Sequence, residues 1–321
     1  MNPLLIRPTI LGLIGALIVA LRWFQLRRQI PRWTLAPAIL CVLYVFFRAW
    51  VFGRAAGGTS YTLDNYTYYA DLSYGFNPSL LANRWVERLH LFPVISVVYE
   101  SLVLAIAATY AYSLGRRGQP MRALAMMVLT GLLGMQAYRL LPACGPVYLL
   151  GSPCYLGEEP ASCADVSAAD LHPVALDSAF PRNAMPSLHV AWALLVYWLW
   201  RSSRWRWIVL AYLVLTMLAT LGGGEHYLVD LAGAFPFALA VWALCGTPWL
   251  PERALTLVSS LLVLLVWIAA IRFRPELFHH SPAIPWVLSA LLVGGSSFAA
   301  SRLTICSSAP ARPPAAPIRA R

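Results

Sequence analysis

Long apolar runs are the feature that most constrains how this chain folds. A helix needs about 20 consecutive apolar residues to cross the hydrocarbon core of a bilayer, and runs near that length recur along the whole sequence. They predict eight or nine spans, the first and fifth being the weakest, at 8–24, 33–52, 91–113, 121–141, 186–200, 207–224, 227–246, 254–271 and 284–300. The sequence therefore predicts an all-α, polytopic transmembrane helical bundle.

The composition also favours a membrane protein over a nucleic-acid-binding one. Charged residues make up 12% of the 321 residues, against about 25% in a soluble domain. The net charge is +11, and all 24 basic residues are arginine. Because the arginines lie in short clusters between apolar runs, membrane topology explains them better than contact with nucleic acid, and no nucleic-acid partner is expected.

The arginine clusters predict the orientation of the chain. An alternating path places them all on one side of the membrane, which the positive-inside rule makes cytoplasmic. The segments 53–90, 142–185 and 272–283 then face outward. The sequence predicts a multi-pass protein of the plasma (inner) membrane with a cytoplasmic C-terminus. The predicted regions are N-terminal spans with an outward loop (1–79), a catalytic helical core (80–247), C-terminal spans (248–306) and a disordered basic tail (307–321).

Two outward segments carry further predictions. Segment 80–92 favours an amphipathic interfacial helix whose Trp85, Leu89 and Phe92 dip into lipid. In the loop at 142–185, Cys154 and Cys163 could close a small disulfide loop in an oxidising compartment. Free or loosely paired thiols are an equal alternative.

The densest set of ionisable residues lies in segments 180–189 (FPRNAMPSLH) and 222–230 (GGGEHYLVD). His226 and Asp230 are four residues apart at a predicted helix start, so they share one face. A carboxylate there accepts the proton of one imidazole nitrogen and leaves a lone pair on the other. The alternating path brings His189 to the same outer surface. A metal site on these three side chains is possible by ligand type, but no further ligand has suitable spacing, so no metal is predicted.

Other residues near this core are candidates for holding an anion. A second imidazole can protonate a leaving alkoxide and then deprotonate the incoming nucleophile. The start of the fifth span offers backbone N–H groups and a helix dipole to a phosphate. Arg182 and Arg139 are candidate phosphate clamps, with a loop ion pair and simple snorkelling as their respective alternatives. Gly224 lets the backbone approach a ligand closely.

The motifs resemble a known family. Segment 185–189 (MPSLH), followed by His226-x-x-x-Asp230, resembles the second and third signatures of the type 2 phosphatidic acid phosphatase superfamily. The leucine between Ser and His, segment 142–146 (PACGP) and segment 83–92 are more similar to the branch that contains inositol phosphorylceramide synthases.

The resemblance covers roughly residues 80–247 and implies a six-helix core with the site at its outward face. By resemblance, His226 is the nucleophile that forms a phosphohistidine and Asp230 orients it. His189 is the general acid and base, and Ser187 binds phosphate. The resemblance implies no metal and no other cofactor.

This chain also departs from the family pattern. The first signature has a lysine before Arg-Pro, whereas this chain has no lysine and carries Leu141 before its Pro142. The third signature usually has Ser-Arg ahead of its histidine, where Ala219 and Thr220 stand here. Arg139 and Arg182 are therefore the candidates to replace the missing cations. The departures favour the transferase branch over a plain phosphatidate phosphatase.

The predicted function is an integral-membrane lipid phosphotransferase that moves an inositol-phosphate-like head group between lipids. Its expected partners are membrane phospholipid or lipid-alcohol substrates and the bilayer itself. The alternative is a lipid phosphate phosphatase of the phosphatidate or polyprenyl-phosphate type. A transporter or flippase that uses Arg48, Glu100 and Arg139 is less favoured, because the charges collect at one surface and no inverted repeat is visible. A soluble vanadium haloperoxidase relative is disfavoured by the spans.

Overall fold

A computed structural model describes residues 3–41, 60–116, 119–155, 166–177, 180–246 and 249–308. The fold is all-helical, as predicted, with 75% helix and no β-strand in those ranges. An isolated antiparallel bridge joins Thr62 to Val174.

The described ranges contain the following α-helices, in chain order. They are α1 (Pro3–Leu26), α2 (Asp64–Leu72), α3 (Pro78–Arg88), α4 (Phe92–Glu100), α5 (Leu102–Ser113), α6 (Gln119–Ala137), α7 (Pro146–Leu150), α8 (Ser152–Tyr155), α9 (Leu188–Trp200), α10 (Arg206–Gly222), α11 (Leu228–Leu244), α12 (Pro251–Phe273) and α13 (Ala283–Ser308). Three 3-10 helices lie between them, at Arg32–Leu35, Ala168–Asp170 and Pro275–His280.

Helix α11 lies at the centre of the bundle because it is apolar on every side. Its residues from Val229 to Ala243 are all buried, and it packs against α9, α12 and α13. Gly233 permits close packing of α11, since a Cβ there would lie 3.0 Å from the sulfur of Met185, in the loop before α9, and 3.4 Å from the ring of Trp267 on α12. A helix that is hydrophobic all round belongs in a protein core. The central position of α11 fixes the residues at both of its ends.

The predicted continuous span at 91–113 is two helices. Helices α4 and α5 meet at Ser101 with a bend of 49°. The hydroxyl of Ser101 donates to the carbonyl oxygen of Val98 at 2.9 Å. A serine hydroxyl that bonds the preceding turn competes with the helical backbone pattern, which fits a break at this residue.

Helix length supports fewer spans than the apolar runs predict. In the described ranges, α12 and residues Ala283–Leu303 of α13 are long and apolar enough to cross a membrane, and the bent pair α4–α5 makes a third if it counts as one span. Four further apolar helices are shorter: Ile10–Leu26, Leu188–Trp200, Arg206–Gly222 and Leu228–Leu244. The count of eight or nine is therefore not confirmed. Most of the predicted span 33–52, with Arg48, lies outside the described residues.

Helix α3 occupies most of the segment predicted to be amphipathic. Its start is capped by the side chain of Asn77, which accepts a hydrogen bond from the backbone N–H of Leu80 at 3.1 Å. Val86 is fully buried, whereas Trp85 and Leu89 are 54% and 56% exposed. The helix therefore has one packed and one open face, and contact of the open face with lipid stays a prediction.

The described cysteines include one in a disulfide and several free thiols. Cys154 is disulfide-bonded, and Cys163, its predicted partner, lies outside the described residues. Cys41, Cys144 and Cys245 are free.

Candidate active site

Two chain segments that are distant in sequence meet at one end of the bundle. His189 is the second residue of α9, and His226 precedes α11 by two residues. Their ring centroids lie 6.5 Å apart with the planes at 62°. His226 is buried and His189 is half-buried. The structure thus brings together the two imidazoles that the motifs single out.

The protonation of His226 follows from its hydrogen-bond partner. Its Nδ1 lies 2.9 Å from the carbonyl oxygen of Ala184 and 3.6 Å from Oδ2 of Asp230. A carbonyl oxygen only accepts, so Nδ1 carries the proton and Nε2 keeps a lone pair. The sequence pointed to Asp230 alone for this role, but the nearer acceptor is a backbone atom.

Asp230 links the start of α11 to the start of α9. Its Oδ2 accepts a hydrogen bond from the backbone N–H of Tyr227 at 2.8 Å. Its own carbonyl oxygen accepts from the N–H of Ser187 at 3.2 Å. The carboxylate is fully buried, so its negative charge acts on the helix start and on His226 with little screening by water.

His189 is held by an aromatic ring from another helix. Tyr99 of α4 stacks on it with ring centroids 4.0 Å apart and planes at 18°. Both side chains line the same cavity. Stacking restricts the tilt of the imidazole while its edge stays open to that cavity, which suits a proton carrier.

Ser187 and Gly224 lie beside the imidazoles but serve the backbone in this arrangement. The hydroxyl of Ser187 accepts the N–H of Val190 at 3.5 Å as the N-cap of α9. Gly224 has φ +70° and its carbonyl accepts the N–H of Val147 at 2.9 Å. A Cβ at Gly224 would lie 2.7 Å from the ring of Tyr155. Glycine is needed here both for its φ angle and for close packing.

The two predicted arginine clamps lie elsewhere. Arg182 is 1% exposed and donates to the carbonyl oxygens of Leu176, Asp177 and Phe180, so its guanidinium stabilises the loop before α9. Arg139 is exposed and donates to Gln136. Neither arginine lines the cavity that contains His189.

Sequence reasoning missed Asp64, a fully buried acid at the start of α2. Its carboxylate accepts from the backbone N–H groups of Cys144 and Gly145 at 2.9 Å each and from the hydroxyl of Tyr227 at 2.8 Å. Burial raises the pKa of Asp64, although these hydrogen bonds oppose the shift. Asp64 thereby holds the turn before α7 against the residue that follows His226.

Asp71, seven residues further along α2, holds the start of α11. Its Oδ1 accepts the N–H of Val229 at 3.1 Å. Burial raises the pKa of Asp71 well above its ordinary value, the Val229 hydrogen bond opposes the shift, and the charge of Asp230 adds to it. Two acids seven residues apart share a helix face. The seven-residue spacing is the sequence signal that could have identified both acids. The sequence analysis predicted only that their segment, 53–90, faces outward.

A cavity of about 640 Å³ leads to His189. One part of its lining is polar, with Tyr99, Tyr148, Asn183, His189 and Glu225. The larger part is apolar, with residues such as Leu102, Ile106, Met127, Leu132 and Trp192. A ligand that fits such a space has a polar group and a long apolar group, as a lipid has. In the described ranges, no group of three or more His, Cys, Asp or Glu is placed to hold a metal ion.

A comparison with protein families identifies a superfamily for most of the helical core. A family model described as the PAP2 superfamily matches residues 67–244, which is more than half of the chain. The match includes α2 from its fourth residue and every residue of the two His motifs. Neither the curated proteins nor the solved structures gave a match.

Proposed function

Because the chain belongs to the PAP2 superfamily, we propose that it is a membrane lipid phosphotransferase that works through a phosphohistidine on His226. Membership indicates an enzyme of the lipid phosphatase or phosphotransferase type, and the apolar helices fit association with a membrane. The observation that carries the proposal is the pair of imidazoles, whose ring centroids lie 6.5 Å apart, one of which, His189, lines a largely apolar cavity.

In the first step, Nε2 of His226 attacks the phosphorus of a lipid substrate. An N–P bond forms and the P–O bond to the leaving alcohol breaks. His189 donates a proton to the leaving oxygen, so the alcohol departs neutral. The carbonyl of Ala184 and the carboxylate of Asp230 stabilise the positive charge that builds on the His226 ring, since both face its Nδ1.

In the second step, neutral His189 takes a proton from an incoming alcohol. The alcohol oxygen forms a new P–O bond while the N–P bond breaks. His226 returns to its starting tautomer, and His189 is protonated again for the next cycle. A lipid alcohol as acceptor gives transfer of a phospho-head group, and we propose an inositol-phosphate-like group on the strength of the resemblance to the synthase branch.

The phosphate must be held without the family's usual cations. The start of α9, a helix of 13 residues, presents N–H groups and the positive end of its dipole beside His189. Ser187 and Gly224 adjoin this position. The phosphate-binding roles predicted for Arg182 and Arg139 would require their side chains to leave the partners described above.

We further propose the topology that the arginine clusters predict, with the active site facing the outer side of the plasma membrane and the C-terminus in the cytoplasm. The site then works on lipids of the outer leaflet. A reporter fused to the C-terminus tests this orientation independently of activity.

The experiment is a screen of detergent-purified protein against lipid phosphates and phosphoinositides, with and without a lipid alcohol. A new head-group lipid indicates the transferase, and free phosphate indicates the phosphatase. His226→Ala should lower turnover at least about 10³-fold. His279→Ala is the matched control, because His279 is exposed and stacks on Tyr69 outside the site. Full turnover by His226→Ala on every accepted lipid would refute the proposal.

A further inference from the structure

Three arginines meet at the end of the bundle that lies opposite the imidazoles. Arg122 belongs to the first turn of α6, Arg201 follows α9, and Arg253 belongs to the first turn of α12. Arg122 lies over the ring of Trp242 at 4.2 Å, near the end of α11. A Cβ on Gly246, just beyond that end, would collide with the guanidinium of Arg253. Because α11 has 17 residues, the cluster lies about 25 Å from the active-site end of the helix.

The positive charges of this arginine cluster repel one another. Among the described residues, the groups that act electrostatically on Arg122 are Arg253, Arg201 and the thiol of Cys245, and no carboxylate is among them. Glu252, the acid that precedes Arg253, is exposed on α12. Arginine does not lose its proton in proteins. Like charges held together in a partly buried site are costly, so this arrangement favours the binding of an anion.

Several hydrogen-bond donors of the cluster lack acceptors. In the described part of the chain, Nε and Nη2 of Arg122 and Nε1 of Trp242 are buried without a hydrogen-bond partner. Arg201 uses Nη2 alone, which donates to the carbonyl oxygens of Ala300 and Ser301 at 3.3 and 3.4 Å. Buried donors in native structures nearly always have a partner. Since the atoms without a partner are all donors, the ligand that satisfies them must be an acceptor.

The burial of these arginines differs from that of an ordinary arginine at the end of a span. Such a side chain normally extends its guanidinium into the water of the membrane interface. Arg253 is instead 1% exposed and donates to the carbonyl oxygen of Leu303 at 3.3 Å. Arg122 and Arg201 are half-buried. The cluster is therefore held within the bundle, and two of its members reach the surface, where a ligand can enter.

We propose that Arg122, Arg201 and Arg253 form a second binding site, which takes a phosphate group and stabilises the fold without taking part in turnover. A planar guanidinium matches two oxygens of a phosphate, and the phosphate supplies both acceptors and negative charge. In the proposed topology, this end lies at the cytoplasmic membrane surface. Anionic lipids are enriched there, and basic pockets between spanning helices bind their head groups. An anionic phospholipid and free phosphate can both supply the group, and the experiment distinguishes them.

The test follows thermal unfolding of full-length His226→Ala protein, in which the proposed chemistry is blocked, after removal of lipid in a neutral detergent. Four additions are compared: phosphatidylglycerol, which is anionic; phosphatidylcholine with the same chains, which is zwitterionic; inorganic phosphate; and sodium chloride at matched ionic strength. We expect saturating phosphatidylglycerol to raise the melting temperature by about 3–5 °C. Phosphatidylcholine and sodium chloride should raise it far less, because they supply no net negative phosphate.

Variants of the cluster locate the gain in melting temperature. Arg122→Gln should remove most of it and raise the lipid concentration for half-maximal stabilisation at least about tenfold. In lipid-free detergent the same variant should lower the melting temperature little, because like-charge repulsion is lost together with the Trp242 contact. Arg201→Gln should also remove the gain, so the test stands if Arg122→Gln does not fold. Arg204→Gln is the matched control, since Arg204 is exposed three residues further on, and it should keep the gain.

The additions also separate the two sources of phosphate. A cluster-dependent gain with phosphatidylglycerol that inorganic phosphate does not match assigns the site to a lipid head group. A cluster-dependent gain with inorganic phosphate assigns it to the phosphate group itself, without need of a lipid. The site is overturned by a gain that sodium chloride reproduces, by a gain that Arg122→Gln and Arg201→Gln both retain, or by no gain with either phosphate compound. Turnover of protein that keeps His226 judges the proposed function separately.

Discussion

The two ends of α11 contact ionisable side chains of opposite type, acids at the N-terminal end and arginines at the C-terminal end. At its N-terminal end, the carboxylates of Asp71 and Asp230 accept the backbone N–H groups of Val229 and Tyr227. At its C-terminal end, Arg122 lies over the ring of Trp242 at 4.2 Å. Acids at the N-terminus and an arginine at the C-terminus suit the helix dipole, which is positive at the N-terminus and negative at the C-terminus.

At the C-terminal end of α11, the arginine end, the side chains stabilise backbone carbonyls rather than backbone amides. Arg253 is 1% exposed and donates to the carbonyl oxygen of Leu303 at 3.3 Å. Arg201, from the end of α9, donates to the carbonyl oxygen of Ala300 at 3.3 Å. Both acceptors belong to α13, so the arginines join three helices where α11 ends.

The two ends of α11 differ in function, although both stabilise the helix. Both ends use buried ionisable side chains to satisfy backbone groups, so a buried acid or arginine by itself does not mark the active site. The carboxylate end differs because two imidazoles stand next to the supporting acids, and one of them opens into a cavity. Changes at the carboxylate end should therefore affect turnover, and changes at the arginine end should affect stability.

Among changes to the residues around His226, loss of the proton carrier His189 should lower turnover the most. We expect His189→Ala to lower turnover of natural lipid esters by about 10²–10⁴-fold, because the leaving alkoxide must then depart without a proton. With a nitrophenyl ester, whose leaving group needs no proton, the loss should be about tenfold or less. Equal losses on both substrates, measured by steady-state kinetics, would contradict the assignment.

Asp230→Asn should have a smaller effect on turnover. Where a carboxylate alone sets the histidine tautomer, its amide variant loses about 10⁴-fold. Here the carbonyl of Ala184 also holds Nδ1, so we expect a loss of about 10²-fold or less, mainly in kcat. A loss as large as that of His226→Ala would show that the carbonyl does not fix the tautomer.

At the arginine end, Arg253→Gln should lower the melting temperature and leave turnover within about twofold below that temperature. A donor lost from a buried carbonyl costs about 1–3 kcal/mol. Arg302→Gln is the control, because Arg302 is exposed and should change neither quantity. A selective loss of activity in Arg253→Gln would break the comparison between the two ends.

Asp71→Asn should give the smallest change, visible as a pH dependence of stability. The pKa of Asp71 is raised in the folded protein, so its stabilising contribution is complete below the unfolded pKa of about 3.9 and declines as the pH rises through the folded pKa. Asparagine can accept the Val229 hydrogen bond without ionising. The melting temperature of the variant, relative to the parent, should therefore rise from pH 4 to pH 8. A constant difference would contradict a raised pKa.

The sequence predicts much of this fold because apolar runs reveal helices directly. The runs place α9 to α12 and the start of α13 within about three residues, and the family signatures single out His189, His226 and Asp230. The break at Ser101 and the short lengths of several helices depend on local hydrogen bonding. An apolar run alone does not predict where within it a helix bends or ends.

The rest of the site depends on contacts that sequence patterns do not encode. The Ala184 carbonyl is a backbone atom, and any residue type supplies one. Asp64 meets Cys144 across 80 positions, so only the folded chain shows that it belongs to the site. Arg182 has the right charge and lies near the motif, yet its guanidinium is occupied by loop carbonyls.

The most direct test of the central claim is to look for phosphorus bound covalently to His226. A lipid donor labelled on phosphorus is turned over without an acceptor, the reaction is stopped in alkali, which preserves a phosphoramidate, and the protein is mapped by mass spectrometry. We predict the label on the peptide that contains His226, its disappearance in His226→Ala, and its release when a lipid alcohol is added. Turnover of the donor with no label on His226 at any time, or with the label on another residue, would contradict the account.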